Sequence, residues 1–306
     1  MSLVARIGLL FLLLAIAALG LVAFRAGGSA ERVWGRRGVL DGDFVRPRAA
    51  TILGDKLYIV DFTARIQSYT LDGDYAGVTF TTPDFRNGRP SGLGTAPDGN
   101  LLVADSHYHA LRVYSPDGRE LKVFGGTSGR EAGQFGYLSD CVQDDDGNYF
   151  LSEFGENDRI TKLDKDGKFL ACWGRNGTAN GEFQRVRSLA FGPDGLLYVA
   201  DACNHRVQVF EKSGAFVRVL GGPGTEPGRF AYPYDLAFDS DGFLYVVERG
   251  NARVQKLARD GAPLASWGVP GRAPGHLADP WAIAIDQFGR VHVIDTENHR
   301  VQRVKF

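Results

Sequence analysis

The sequence is poor in the features that commit a chain early to one chemistry. Its three cysteines, Cys141, Cys172 and Cys203, are odd in number and sit at different positions of the pattern described below, so no disulfide framework is expected. Basic and acidic residues nearly cancel, 35 against 36, for a formal net charge of −1. That balance argues against a polyanion-binding field over the whole surface, and nucleic acid is not the expected partner. Beyond the N-terminus no stretch keeps a helical period. No glycine loop opens a helix either. Gly125-Gly126 and Gly221-Gly222 each follow one strand and lead into another, which excludes a phosphate-binding loop of that kind.

What is abundant is glycine, 40 residues, most of it at turns between short apolar runs. From Ser188 to Leu220 four such runs are separated by Pro193-Asp194-Gly195, by an Asp-to-Arg loop and by Ser213-Gly214, where glycine supplies the positive φ of a tight hairpin. The phrase Asp201-Ala202-Cys203-Asn204-His205-Arg206-Val207-Gln208 returns as Asp295-Thr296-Glu297-Asn298-His299-Arg300-Val301-Gln302. Its acidic marker recurs at Asp61, Asp105, Glu153, Asp201, Glu248 and Asp295, every 44 to 48 residues. A repeat of that length is a four-stranded unit. One such meander cannot bury both apolar faces, so six must stack, and radial stacking gives a six-bladed propeller. The chain ends after the third strand of the sixth copy, and Arg32-Val33-Trp34-Gly35 aligns with the outer strand of the others, as in Arg218-Val219-Leu220-Gly221. The sequence therefore predicts an all-β, six-bladed β-propeller over residues 31–306, closed by an N-terminal strand, which hides an otherwise open edge.

These residues resemble the NHL repeat family, named for its Asn-His-Leu triplet, here Asn204-His205-Arg206 and Asn298-His299-Arg300, over roughly Arg32 to Phe306. The form is that of a bacterial, membrane-anchored NHL repeat-containing protein. The resemblance implies the propeller but little about activity, since the same fold carries ligase substrate-binding domains, RNA-binding domains and a peptide-amidating lyase.

Residues 1–30 read as a separate segment, an N-terminal signal anchor or signal peptide plus a short linker. Ile7 to Phe24 is an uncharged apolar run near the lower length limit of a membrane-spanning helix, flanked by Arg6 and Arg25. An uncleaved anchor with the propeller outside the cytoplasmic membrane is the expectation; secretion after cleavage near Gly28-Ser29-Ala30 is the alternative.

In a propeller, loops between the second and third strands share one face with the segments that lead into each inner strand. Aligned, those lead-ins are Arg46-Pro47-Arg48, Arg89-Pro90-Ser91, Tyr137-Leu138-Ser139, Arg185-Val186-Arg187, Tyr232-Pro233-Tyr234 and Asp279-Pro280-Trp281. One channel mouth is thus expected to collect Arg46, Arg48, Arg89, Arg185 and Arg187 with Tyr137, Tyr232, Tyr234 and Trp281. Guanidinium forks pair with carboxylate or phosphate and aromatic faces stack on sugars or cations. These nine residues are the candidate ligand site, with Arg48 and Arg187 on opposite blades. The repeated acid, Asn and Arg are read as joints, because a feature present six times is more often framework than catalyst. Blade two departs, with Tyr108 and Ala110 where other copies have asparagine and arginine.

Metal sites are weakly signalled. His107 and His109 form a His-x-His pair without a third ligand, and Asp140 and Asp235 are the only carboxylates just inside the mouth. The amidating lyase of the resembling family gathers several histidines on zinc, whereas none of the six here falls in an inner strand. The expectation is therefore a monomeric, non-catalytic binding or scaffolding propeller without a cofactor, tethered to the membrane and presenting the mouth to a protein, peptide or glycan ligand. The alternative is a metal-assisted lyase or hydrolase, with calcium or zinc, acting at the same mouth.

Overall fold

The computed structural model of the protein describes residues 29–83, 89–155 and 157–306. Six four-stranded antiparallel sheets follow one another along the chain. Their inner strands are Ala49–Leu53, Pro90–Thr95, Tyr137–Gln143, Val186–Phe191, Pro233–Phe238 and Pro280–Ile285. Each contacts the next, and the sixth contacts the first, so the sheets form a ring. In the sixth blade the fourth position is held by Arg32–Trp34, antiparallel to Arg300–Val304 with Arg32 opposite Arg303 and Trp34 opposite Val301. Trp34 packs its ring on Phe44 and Tyr69 of blade one, 5.6 and 4.7 Å between centroids. Second strands such as Leu197–Asp201 and Leu244–Glu248 are buried throughout, because each is flanked in its own sheet and covered by two neighbouring blades.

The expected fold class also joined an N-terminal transmembrane or signal helix to the propeller, and there it is corrected. Among the described residues no helix is long and apolar enough to cross a membrane. The helical elements described are single 3₁₀ turns at Ser106–Tyr108, Ala202–Asn204 and Thr296–Asn298. The run from Ile7 to Phe24 lies outside the described residues.

Each blade is tied to the loop preceding it by the repeated phrase. In blade four, Asp201 accepts hydrogen bonds from the Gln184 amide, Asn204, Arg206 Nε and Gln208. Arg206 donates onward to the carbonyls of Thr178, Ala179 and Glu182, so one buried ion pair also satisfies a turn that has no ladder of its own. The loop histidine reaches the next blade: His205 Nδ1 accepts the amide of Tyr232, and His299 Nδ1 that of Arg46. Blade two keeps only the ion pair, from another position. Ala110 has no side chain to offer, and Arg112, two residues later, donates its Nε to Asp105 at 2.9 Å. The lead-ins are further set by a buried ring under each outer strand end. Phe230 packs so closely beneath Gly221, whose φ is 83°, that a Cβ there would meet its ring at 2.2 Å.

Candidate functional site

The lead-in backbone turns sharply into the inner strand. Arg46, Arg185, Tyr232 and Asp279 all have left-handed φ, between 51° and 60°, a conformation that costs a non-glycine residue free energy and here is held by the neighbouring blade's side chain. Asp158 accepts the Arg185 amide as the histidines do elsewhere. The turn throws the residue two positions later into the channel. Arg48, Arg187, Tyr234 and Trp281 thus line one cavity of about 350 Å³ together with Asp140 and Asp235.

Arg48 and Arg187 come from blades one and four and meet over one indole: their guanidinium carbons lie 4.9 and 5.2 Å from the Trp281 ring. Arg187 is also 4.8 Å from the Tyr234 ring. Among the described residues neither arginine has a carboxylate in ion-pair contact, and the Nε of each is buried without a hydrogen-bond partner. Burial pushes Arg48 down to about 9, helped by the charges of Arg187, Arg89 and Arg46. Burial likewise lowers Arg187. Two like charges brought together in a dry site are unfavourable, and the aromatic faces offset only part of that, about 0.5–2 kcal/mol per contact.

Their wall is itself braced. Trp281 donates Nε1 to Asp279 at 3.1 Å, and Arg249 ion-pairs with the same carboxylate while reaching the Tyr234 hydroxyl at 3.4 Å. On the other side Phe62 stacks under Arg89 at 3.4 Å, with Arg46 at 5.0 Å and Arg48 at 5.5 Å. Phe154 plays the same part for Arg185 at 5.5 Å. Phe62, Phe154 and Arg249 were not among the residues expected at the mouth. Their signal is that each follows the repeated acid directly, where other copies carry Ser106, Ala202 or Thr296.

Beneath the arginines lie Asp140 and Asp235. Asp140 accepts the amides of Cys141 and Leu189, the latter from the next blade. Asp235 accepts the Leu236 and Ile283 amides and the Ser188 hydroxyl at 2.6 Å. They therefore staple blades three to four and five to six. Burial raises both, Asp140 to about 7 with help from Asp235, and Asp235 to about 6. A cation fits them poorly: every carboxylate oxygen already accepts a hydrogen bond, and the charge of Arg187 lies close enough to pull Asp235 down. Among the described residues no three His, Cys, Asp or Glu side chains converge as a metal site would require.

The remaining candidates divide. Arg46 is neutralised by an ion pair with Glu297. Arg185 faces a separate groove with Asp158 and Cys203. Tyr232 is 41% exposed and packs on His205, 4.5 Å between rings. Tyr137 is 40% exposed and gathers His107, His109 and Phe154 at 5.3, 5.4 and 5.5 Å. His109 Nδ1 is bonded to the Gly136 carbonyl, 2.8 Å away, whereas His107 is exposed on the mouth side. Burial lowers His107, and the nearby charges of Arg48 and Arg89 lower it further. Its imidazole is neutral at pH 7.

The NHL repeat model matches residues 183–210, 230–257 and 277–304. Each of these segments runs from the buried apolar residue of a lead-in (Phe183, Phe230, Leu277) to the end of a third strand, in blades four, five and six. No curated protein matches the sequence. Among solved structures, a streptogramin B lyase superimposes with a TM-score of 0.63 at 15% identity, covering 89% of this chain and 96% of that one. A catalytically inactive histidine-to-alanine variant of virginiamycin B lyase from Staphylococcus aureus, with quinupristin, gives 0.61 at 16% identity, covering 90% and 88%. A protein of unknown function from Bacteroides caccae gives 0.55 at 17%, covering 72% and 85%. At such identities the likeness is one of fold. It leaves the expectation of a propeller more naturally non-enzymatic than enzymatic without support, since two of these structures of the same fold are lyases.

Proposed function

We propose that the protein is a lyase acting at the channel mouth on a substrate with an anionic group. The observation that carries this reading is the convergence of Arg48 and Arg187 on Trp281 without a carboxylate partner. A framework has no use for two converging guanidiniums that no carboxylate pairs, while a substrate anion or an enolate would supply the missing partner.

Lyase chemistry asks for a proton acceptor beside the electrostatic site, and His107, near enough for the charges of Arg48 and Arg89 to act on it, is the group we assign to that part. Held neutral by burial and by Arg48 and Arg89, it can take a proton from carbon next to a carboxylate or carbonyl. The electron pair left on carbon spreads onto the oxygen held by Arg48 and Arg187, then forms the carbon–carbon double bond as the leaving group departs with its own bonding pair. Asp140, half protonated near pH 7, is a proton source for that leaving group. The arginines thus take the electrophilic part that a metal ion would play in the metal-assisted alternative. That the enzymes of similar fold are lyases supports the reaction class. The test is a panel of β-substituted carboxylates followed by the ultraviolet absorbance of a new conjugated double bond. A member of the panel is expected to turn over, and His107→Ala to lower kcat by about 100-fold or more with the melting temperature unchanged. Turnover indifferent to His107 and to Arg187→Ala would sink the reading.

A further inference from the structure

The charges around the mouth specify more than an anion. Of the cations there, Arg46 is matched by Glu297 and Arg249 by Asp279. Arg187 is offset in part by Asp140 and Asp235 beneath it, which act on it as favourable charges. Two guanidiniums remain with no acidic neighbour among the described residues, Arg48 and Arg89. Both are stacked on Phe62, and the Nε of each is buried and unpartnered. Arg187, 6% exposed, lines the cavity with Arg48 and adds a third unpartnered Nε. The donors are planar forks rather than ammonium points, and forks recognise pairs of oxygens.

We infer that the group held at the mouth carries two negative charges, as a dicarboxylate or a phosphate-like oxyanion does. This rests on the lyase reading for its use in catalysis, but not for its existence as a binding site. A single carboxylate would leave one of the two guanidiniums without a counter-charge, and a dianion leaves neither. The volume sets the size class: a cavity of about 350 Å³ at this end of the channel admits a small acid, with any larger part of the substrate outside.

Isothermal titration of the purified protein at constant ionic strength tests this with four probes: malonate, sulfate, acetate and chloride. At least one dianion is expected to bind tenfold or more tightly than acetate, malonate leading for a planar dicarboxylate site and sulfate for a tetrahedral one. Arg48→Ala and Arg89→Ala should each bring the dianion down to the affinity of acetate. Arg89→Lys, which keeps the charge but loses the fork, should fall between, and it serves should an alanine variant not fold. Acetate binding as tightly as the better of the two dianions overturns the inference, as does a dianion preference that survives both alanine substitutions. The inference and the lyase reading fail separately: a dianion bound in this way by a protein that turns over no carboxylate leaves the site standing without the reaction.

Discussion

Replacing Arg48 by methionine should make the protein more stable. The guanidinium is pushed down from its ordinary value to about 9, first by burial and then by Arg187, Arg89 and Arg46. At 1.36 kcal/mol per pH unit that gap corresponds to about 5 kcal/mol against the charged form, an upper bound because part of the burial persists for any side chain. The substitution forfeits contacts with Phe62 and Trp281 worth about 0.5–1 kcal/mol each, while methionine keeps much of the apolar packing. A net gain of about 2–3 kcal/mol remains, or about 4–10 °C in melting temperature for a domain of this size. The pH dependence has a definite sign. The folded value lies below the unfolded one, so the folded state holds fewer protons from about pH 9 up to the ordinary guanidinium range. Wild-type stability therefore rises with pH in that window, and the full penalty is present at every pH below it. Scanning calorimetry at pH 7 in a buffer free of sulfate, phosphate and carboxylates measures the difference. An unchanged or lowered melting temperature would refute the claim that Arg48 is held against its own preference for a ligand.

The joints should behave in the opposite way. Arg206→Ala strips Asp201 of its charge partner and frees three carbonyls, at a cost of about 3–5 kcal/mol read by urea denaturation; a loss below 1 kcal/mol would show the pair to be dispensable. Gly221→Ala places a Cβ against Phe230 in a backbone conformation that disfavours side chains, and should cost more than about 2 kcal/mol by the same measurement. Asp140 and Asp235 bind protons in the folded state, at about 7 and 6, that the unfolded chain has released. Their contribution to stability should fall as pH rises from about 4 to 7, and Asp140→Asn should flatten that slope in calorimetric scans across the range.

Much of this architecture was legible in the chain because it repeats. The acidic markers count the blades, the Asp-Gly turns delimit the strands, and the lead-in alignment names Arg48, Arg187, Tyr234 and Trp281, which do meet in one cavity. The same alignment placed Arg46 and Arg185 with them, and the structure separates these, one by an ion pair and the other by a different groove. Position in a repeat determines which face a residue joins but not what its side chain meets, since that depends on rotamers and on neighbours distant in sequence. Phe62 and Phe154 were passed over because they stand inside the phrase read as a joint. The joint is the acid; the residue after it is free to vary and turns toward the mouth. Blade two's missing arginine was visible, but not its replacement by Arg112, which depends on a strand bringing Arg112 back beside Asp105.

The sequence by itself determined the all-β ring, its blade number and the face on which function would be sought, because a period of local turns and apolar runs has few ways to bury its surface. Only the tertiary structure decided the chemistry of that face. Whether an arginine is neutralised, stacked or left wanting an anion depends on which carboxylates and rings five other blades bring within a few ångströms of it. Among the described residues that arrangement leaves Arg48, Arg89 and Arg187 without a carboxylate in ion-pair contact.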